Sequence, residues 1–313
     1  MNILTDERKN FLESALLEKG ATKKFLSDID NLQELIFLIA VLNERSDKNV
    51  GFNIADSREL IYKHLLEKVS RLPEYFLIAD PSSRGLLINN SYADLFSCRE
   101  FAESAVKRYS DMGIVCSVFQ PEDTNIFEYL YYRGIKYIMI DQTETTYSIA
   151  VKRSEIIPNS RIKKSADCTT DNPALRFAIA NFYCSMHHQQ IFRIDDKKLT
   201  NLQNLMIYHT ANAKFLVPVK HNSENPDKAV MATTKMENQG NMLTVFTDKP
   251  QFDKFYPHND WDYAVLDFDN VCAGVISGKC HGIVINPSEE RLSVDRAVMA
   301  HIRKTAKNMT LKS

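Results

Sequence analysis

An order of elements that the residue patterns predict twice over constrains this chain more than any other feature. From Pro73, "YFLIAD" (75–80) and "RGLLINN" (84–90) read as strands, "FSCREFAESAVKRY" (96–109) as a helix, and "IVCSVF" (114–119) as a strand. "NIFEYLYYRG" (125–134) reads as a short helix closed by Gly134, and "IKYIMID" (135–141) and "TYSIAVK" (146–152) as strands. The second half restarts with helices from Pro173 and from about Asp195, then strands at 213–220, 229–235 and 241–246. A helix from Thr247 to Phe255 follows, then a strand (263–268), a short helix (270–278) ending in glycine, strands at 281–287 and 291–294, and a terminal helix, "DRAVMAHIRKTAK". Two local patterns line up as well: "LFSCREFAES" with "VFTDKPQFDK", and "LYYRGIKYIMID" with "GVISGKCHGIVIN". A degenerate internal duplication is therefore expected. The fold class expected is α+β, with two related lobes, each a small mixed or antiparallel sheet with flanking helices.

The first 70 residues read as helical. "TDERKNFLESALLEKG" has acids in its first turn and Gly20 after its last, with Phe11, Leu12, Ala15 and Leu16 on one face. A second helix is expected over about Thr22–Arg45, and a third capped by Asp56 with Glu59 as its partner. Ser97 with Glu100 reads as the cap of the helix at 96–109. The basic, proline-containing stretch 152–173, with Lys152, Arg153, Arg161, Lys163 and Lys164, reads as a solvated connector. The domains expected are thus 1–157, helices plus a degenerate lobe, and 165–313.

Composition excludes several function classes. The 313 residues carry a net charge of −1, so no global field draws the chain to nucleic acid or to an anionic membrane. The longest apolar run, Leu35 to Leu42, is far short of the about 20 residues a spanning helix needs. The N-terminus lacks a basic-then-apolar signal pattern. The six cysteines (98, 116, 168, 184, 272 and 280) form no C-x-x-C, so they read as reduced and mostly buried, and a zinc site built on two of them is not expected. Cytoplasmic location follows. No G-x-S-x-G elbow and no glycine-rich phosphate loop occurs.

The second half resembles the N-terminal domain of the SseB family, named for enhanced serine sensitivity. The resemblance lies in "FLVPV" (215–219), "MLTVFTDKPQFDKF" (242–255), "YAVLDF" (263–268) and "GIVINPSEERLSVDRAVM" (282–299), and spans about 165–303. The first half departs from it, with "YFLIAD" where Val-Pro would stand and "IMIDQTETTY" in place of Asn-Pro. The resemblance implies a compact α+β domain and brings no catalytic residues. The motif residues themselves read as a strand-to-helix corner, with a binding lip as the alternative. Thr247 would cap the helix, Asp248 would suit its dipole, and Pro250 its first turn. Phe246 and Phe252 would clamp strand to helix, Asn286-Pro287 would turn the chain, and Pro218 would mark an edge strand or a bulge.

The remaining polar features carry weaker chemical signals. His187 and His188 are neighbours on a helix, point about 100° apart, do not chelate one metal as i and i+4 would, and read as partly exposed helix histidines. Cys280 and His281, adjacent in a strand, face opposite sides. The hydroxyls of Thr143, Thr145, Thr146 and Ser148, the basic tail with Arg303, Lys304, Lys307 and Lys312, and the only tryptophan, Trp261, are each either a local structural feature or a contact point. The reading is a non-catalytic cytoplasmic binding or regulatory protein, with no catalytic, cofactor-binding or metal residues assigned and no cofactor. Its partner would be a protein or a small ligand. Nucleic acid and membrane are not expected. The alternative is an enzyme of unrecognised type with its site in an interlobe groove.

Overall fold

The computed structural model describes residues 4–309, apart from 30, 46–50, 84, 122–124, 165–167, 169, 223–224, 238 and 259–260. Four helices open the chain: α1 (Asp6–Lys19), α2 (Lys23–Ser27), α3 (Leu32–Glu44) and α4 (Ile54–Val69). Then come β1 (Phe76–Asp80), β2 (Gly85–Leu86), β3 (Ile88–Asn89), β4 (Tyr92–Phe96), α5 (Arg99–Asp111), β5 (Ser117–Phe119), α6 (Ile126–Tyr132), β6 (Tyr137–Ile140), β7 (Ile149–Lys152) and α7 (Arg153–Ile156). The second half holds α8 (Pro173–His187), α9 (Asp196–Ala211), β8 (Lys214–Asn222), β9 (Asn225–Met231), β10 (Thr233–Met236), β11 (Gly240–Val245), α10 (Lys249–Phe255), β12 (Asp262–Asp267), α11 (Phe268–Ser277), β13 (Gly282–Ile285), β14 (Leu292–Asp295) and α12 (Arg296–Ala306). The fold class is α+β. The chain forms two compact units. One comprises Met1–Ala79, Asn90–Phe127 and Lys136–Ile162; the other comprises Asp80–Asn89, Glu128–Ile135 and Lys163–Ser313.

In the first unit α3 is the helix around which the rest is built. Ten of its thirteen residues are buried, which is what a run of apolar residues on every face requires. The helix expected over Thr22–Arg45 is in fact two. Ser27, Asp28 and Asn31 interrupt it, because short polar side chains compete for backbone groups. Asn31 then caps α3, its Oδ1 accepting from the Gln33 amide at 2.9 Å. Asn53, and not Asp56, caps α4; Glu59 pairs instead with Lys63, one turn on, at 2.7 Å. On α1, Leu12 and Leu16 are buried, whereas Phe11 is exposed beneath the Arg8 guanidinium.

The sheet of this unit runs β5-β1-β4-β6-β7. β1 is antiparallel to β5 and β4, β4 is parallel to β6, and β6 is antiparallel to β7. The central strand β4 is one that the residue pattern hides, because Asp94 interrupts its apolar run. The connector expected at 152–173 is folded at its start: Lys152 ends β7, and Arg153 is buried in α7 with its guanidinium on the Ile157 carbonyl and the Asn159 side chain. Residues 165–167 and 169 of that stretch lie outside the described residues.

The second unit has a three-stranded antiparallel sheet, β12-β8-β9, and a four-stranded one, β10-β11-β13-β14, in which β11 and β13 are parallel. A bridge between Leu216 and Phe246 joins the two, with each amide donating to the other's carbonyl at 2.9 Å. Side chains alternate along β8. Phe215 and Val217 enter the main core with Val245, Ile283, Val271 and Leu175, while Leu216 enters a second, aromatic core with Phe246 and Phe252. Pro218 stands in the middle strand and not at an edge. Residues 216 and 218 present their backbone groups to the same side, where Leu216 exchanges both bonds with Phe246 and Pro218 accepts from the Ala232 amide at 3.1 Å. That is where β8 changes partner from β9 to Phe246, so the missing N–H breaks no ladder.

Strand directions and registers repeat between the units. Phe76 faces Phe96 as Leu216 faces Phe246; Leu95 faces Ile140 as Val245 faces Ile285; Ile140 faces Ile149 as Ile285 faces Leu292. No helix of the described residues is long and apolar enough to cross a membrane.

Candidate functional site

The corner after β11 is built from three side chains, and the capping role falls one residue later than the sequence suggests. Asp248 is the N-cap of α10, with Oδ1 accepting from the Gln251 amide at 3.0 Å. Thr247 has a different task. Its amide donates to Asn286 Oδ1 at 3.0 Å, and its hydroxyl donates to Asp248 Oδ2 at 2.7 Å while accepting from Asn286 Nδ2 at 2.8 Å. All three residues are buried. Pro250 sits in the first turn of α10, and Phe246 meets Phe252 edge-on at 5.5 Å, both as the sequence suggests. Asn286 ends β13 with φ 47, a left-handed conformation that Asn tolerates better than most residues.

The first unit has the same arrangement. Cys98 occupies the cap position of α5 without a side-chain bond, and Ser97 turns instead to Asp141, which ends β6 with φ 52. Asp141 Oδ1 accepts from the Ser97 amide at 2.7 Å, and Oδ2 accepts from the Ser97 hydroxyl at 2.8 Å and from Gln33 Nε2 at 3.1 Å.

Beside the second corner lies a buried ionic network that the sequence did not disclose. Arg176 of α8 reaches Glu290 Oε1 through Nε at 2.8 Å, Glu289 through Nη2 and Asp248 Oδ2 through Nη1 at 3.3 Å. Arg133 reaches Glu290 at 2.9 Å and Glu289 at 2.8 Å, and Lys254 reaches Glu289 at 2.8 Å. Glu290 Oε2 accepts from Asn286 Nδ2, so the network is bonded to the corner. Three cations thus face three carboxylates, and a buried charge is tolerable only when matched in this way. Burial pushes Glu289 up, but Arg133 and Arg176 outweigh it and hold the carboxyl at about 2. Burial pushes Arg176 down, and Glu290, Asp248 and Glu289 outweigh that too, holding it above its ordinary value. These charges neutralise each other and serve the interior.

A half-buried aromatic strip lies at one edge of this unit. Trp261, which immediately precedes the edge strand β12, and Tyr263 and Val265 within it alternate along the chain, and Trp261 and Tyr263 rest on the aromatic core. Trp261 meets Tyr256 at 5.7 Å, Lys220 lies over its ring at 6.0 Å, and Val265 is 46% exposed.

The other candidates separate. His187 is exposed, but His188 is buried, with Nε2 2.9 Å from Asp80 Oδ2, which corrects the expectation of two partly exposed histidines. The chemically telling pair is Cys184 and His188, four residues apart and therefore on one helix face; attention to the adjacent histidines obscures that spacing. Asp80, Cys184 and His188 are all buried, with donor atoms within 4.8 Å of one another. Cys280 is buried and His281 exposed, so they do not meet. None of the six cysteines, all among the described residues, is in a disulfide. Thr143 and Thr146 bond each other, and Thr146 bonds the Asp141 carbonyl, which makes that stretch a local turn. In the tail Arg303 pairs with Asp269 at 2.6 Å, Lys304 and Lys307 are exposed, and Lys312 lies outside the described residues.

No curated protein and no solved structure matches the chain. A family model does, over a segment narrower at its front than the 165–303 expected, because α8 with Arg176 falls outside it. Residues 200–301, from α9 into α12, match the model described as the SseB protein N-terminal domain, so the second unit of this protein carries the likeness to that family.

Proposed function

We propose that the protein acts by binding a protein partner, and not by turning over a substrate, and that an extended segment of the partner adds to the edge of β12. The observation that carries this reading is the half-buried strip of Trp261, just before the edge strand β12, with Tyr263 and exposed Val265 within it, where a strand edge and alternate apolar side chains lie together. Exposed Asp262 and Asp267 along that strand favour a segment with basic residues beside its apolar ones. Support against catalysis comes from the corner and the network, whose titratable groups are matched to one another. The repeated registers and the Ser97–Asp141 and Thr247–Asn286 pairs support a common origin of the two units by duplication. Six cysteines outside any disulfide fit a reducing, cytoplasmic setting.

A photo-crosslinking residue placed at Val265 in living cells tests the reading, with exposed Leu205 of α9 as the control position. One defined adduct is expected from 265 and not from 205, and it is expected to disappear when Asp262 and Asp267 are changed to Lys. Identical adducts from both positions, or turnover that one polar substitution abolishes, would overturn it.

A further inference from the structure

We propose that Asp80, Cys184 and His188 form a binding site for one transition-metal ion of the zinc class. All three belong to the second unit, and the inference stands apart from the partner-binding reading. A carboxylate oxygen, a thiol sulfur and an imidazole nitrogen converge within 4.8 Å, and all three residues are buried. Cys184 lies in the last turn of α8 and His188 is its C-cap, so the helix itself sets two ligands side by side. Asp80 is oriented for the third position. The Ser82 amide and hydroxyl both donate to its Oδ1, at 2.9 and 2.6 Å, which leaves Oδ2 turned toward His188. Such outer bonds are how ligating carboxylates are aimed.

The spacing suits the ion. Two ligands each about 2.0 Å from zinc at a tetrahedral angle stand about 3.3 Å apart. Asp80 Oδ2 and His188 Nε2 are 2.9 Å apart, so a few tenths of an ångström of opening admits it. The Ser82 hydroxyl, 3.3 Å from Nε2, or a water completes four-coordination. Mixed sulfur, nitrogen and oxygen donors select zinc, or cobalt as its substitute, over magnesium and calcium.

Charge gives the second argument. Without a metal the Cys184 thiol donates to the Ile88 carbonyl at 3.1 Å. A coordinated divalent ion deprotonates a ligating thiol outright. On loading, the thiol proton leaves to solvent, and His188 would coordinate as neutral imidazole through the Nε2 lone pair with its proton on Nδ1. One carboxylate and one thiolate then balance the two positive charges, and the buried site stays neutral.

The test uses the full chain, stripped with a chelator and titrated with cobalt(II). One equivalent is expected to produce the thiolate-to-cobalt charge-transfer band and the visible bands of a four-coordinate ion, and one equivalent of zinc to bleach both. Cys184→Ser should lose the charge-transfer band while Cys272→Ser keeps it. His188→Gln and Asp80→Asn should each weaken zinc binding by at least about tenfold, since even outer ligands matter that much. Absence of the thiolate band in the wild-type chain overturns the site whether or not any variant folds. So does its persistence in folded Cys184→Ser.

Discussion

Two residues at equivalent turns show how a single atom decides side-chain identity. Asp141 faces donors alone: the Ser97 amide, the Ser97 hydroxyl and Gln33 Nε2. Asn286 faces the Thr247 amide as well, but its Nδ2 must donate to Glu290 Oε2 at 2.8 Å. A carboxylate at 286 would repel Glu290 in a buried place. Asn286→Asp is therefore expected to cost about 3 kcal/mol and Asp141→Asn, which would set a donor against the donors around it, about 1–3 kcal/mol, by urea unfolding at neutral pH. A second residue-scale outcome concerns Asp94. Burial, against the pull of the Tyr109 hydroxyl bonded at 2.6 Å and of Arg108, pushes this carboxyl up to about 6 from 3.8. A folded pKa raised above the unfolded one means stability that is full below about 3.8 and is lost as pH rises through about 6. The loss amounts to roughly 3 kcal/mol. Asp94→Asn should flatten the stability profile across that window and raise stability at pH 7, measured by denaturant unfolding at several pH values. Glu289 has the opposite sign. Its contribution is present above 4.5 and fades as pH falls through about 2, so its window meets the one Asp94→Asn removes only between 3.8 and 4.5.

At the scale of elements, close approach of backbone to backbone limits what may change. Gly134 has φ 71, and a Cβ there would stand 2.0 Å from the Pro173 carbonyl oxygen at the start of α8. Gly113 has φ 87 with open space around it. Gly113→Ala should thus cost only the backbone penalty of about 1–2 kcal/mol, and Gly134→Ala that plus displacement of α8, about 3–5 kcal/mol in all. Thermal unfolding of the two variants side by side checks this. Elements also mark how far the sequence could be read. Periodicity locates α1, α4, α9 and most strands, because their burial is one-sided or complete. It misses β4, where buried Asp94 looks like a loop residue until Tyr109 is seen to bond it. It misplaces caps at Ser97 and Thr247, because those hydroxyls look across to the end of a parallel strand some 40 residues on, a partner that local spacing cannot supply. The candidate sites fared likewise. Trp261 stood out by being single, whereas Arg133, Arg176 and Glu290 read as ordinary surface charges until the fold brought them together. Cys184 and His188 had the one local signal, a spacing of four, and Asp80 had none.

At the scale of the whole molecule, the segment that carries the family likeness is not the segment that is electrostatically closed. Residues 200–301 contain Asp248, Lys254, Glu289 and Glu290, yet both arginines that neutralise them come from elsewhere: Arg176 from α8, and Arg133 from Glu128–Ile135. Cutting the chain at the family boundaries would leave buried carboxylates against a single lysine and strip Leu175 and Ile179 from the core. A fragment of residues 200–301 is expected to show no cooperative melting. One of residues 163–313 regains Arg176 and α8 and is expected to fold, but without Arg133, and without Asp80 beside buried His188, it should lose at least about 3–5 kcal/mol, the cost of removing one partner from a buried pair. For about 150 residues that is a melting temperature roughly 10 °C lower. Circular dichroism melts of the two fragments beside the full chain decide it. Cooperative melting of the 200–301 fragment would show that the charges can be satisfied by water, and an unshifted 163–313 fragment would show that Arg133 is a bystander. If both outcomes follow the charge argument, this unit is defined by where its ions are matched and not by where its family pattern begins.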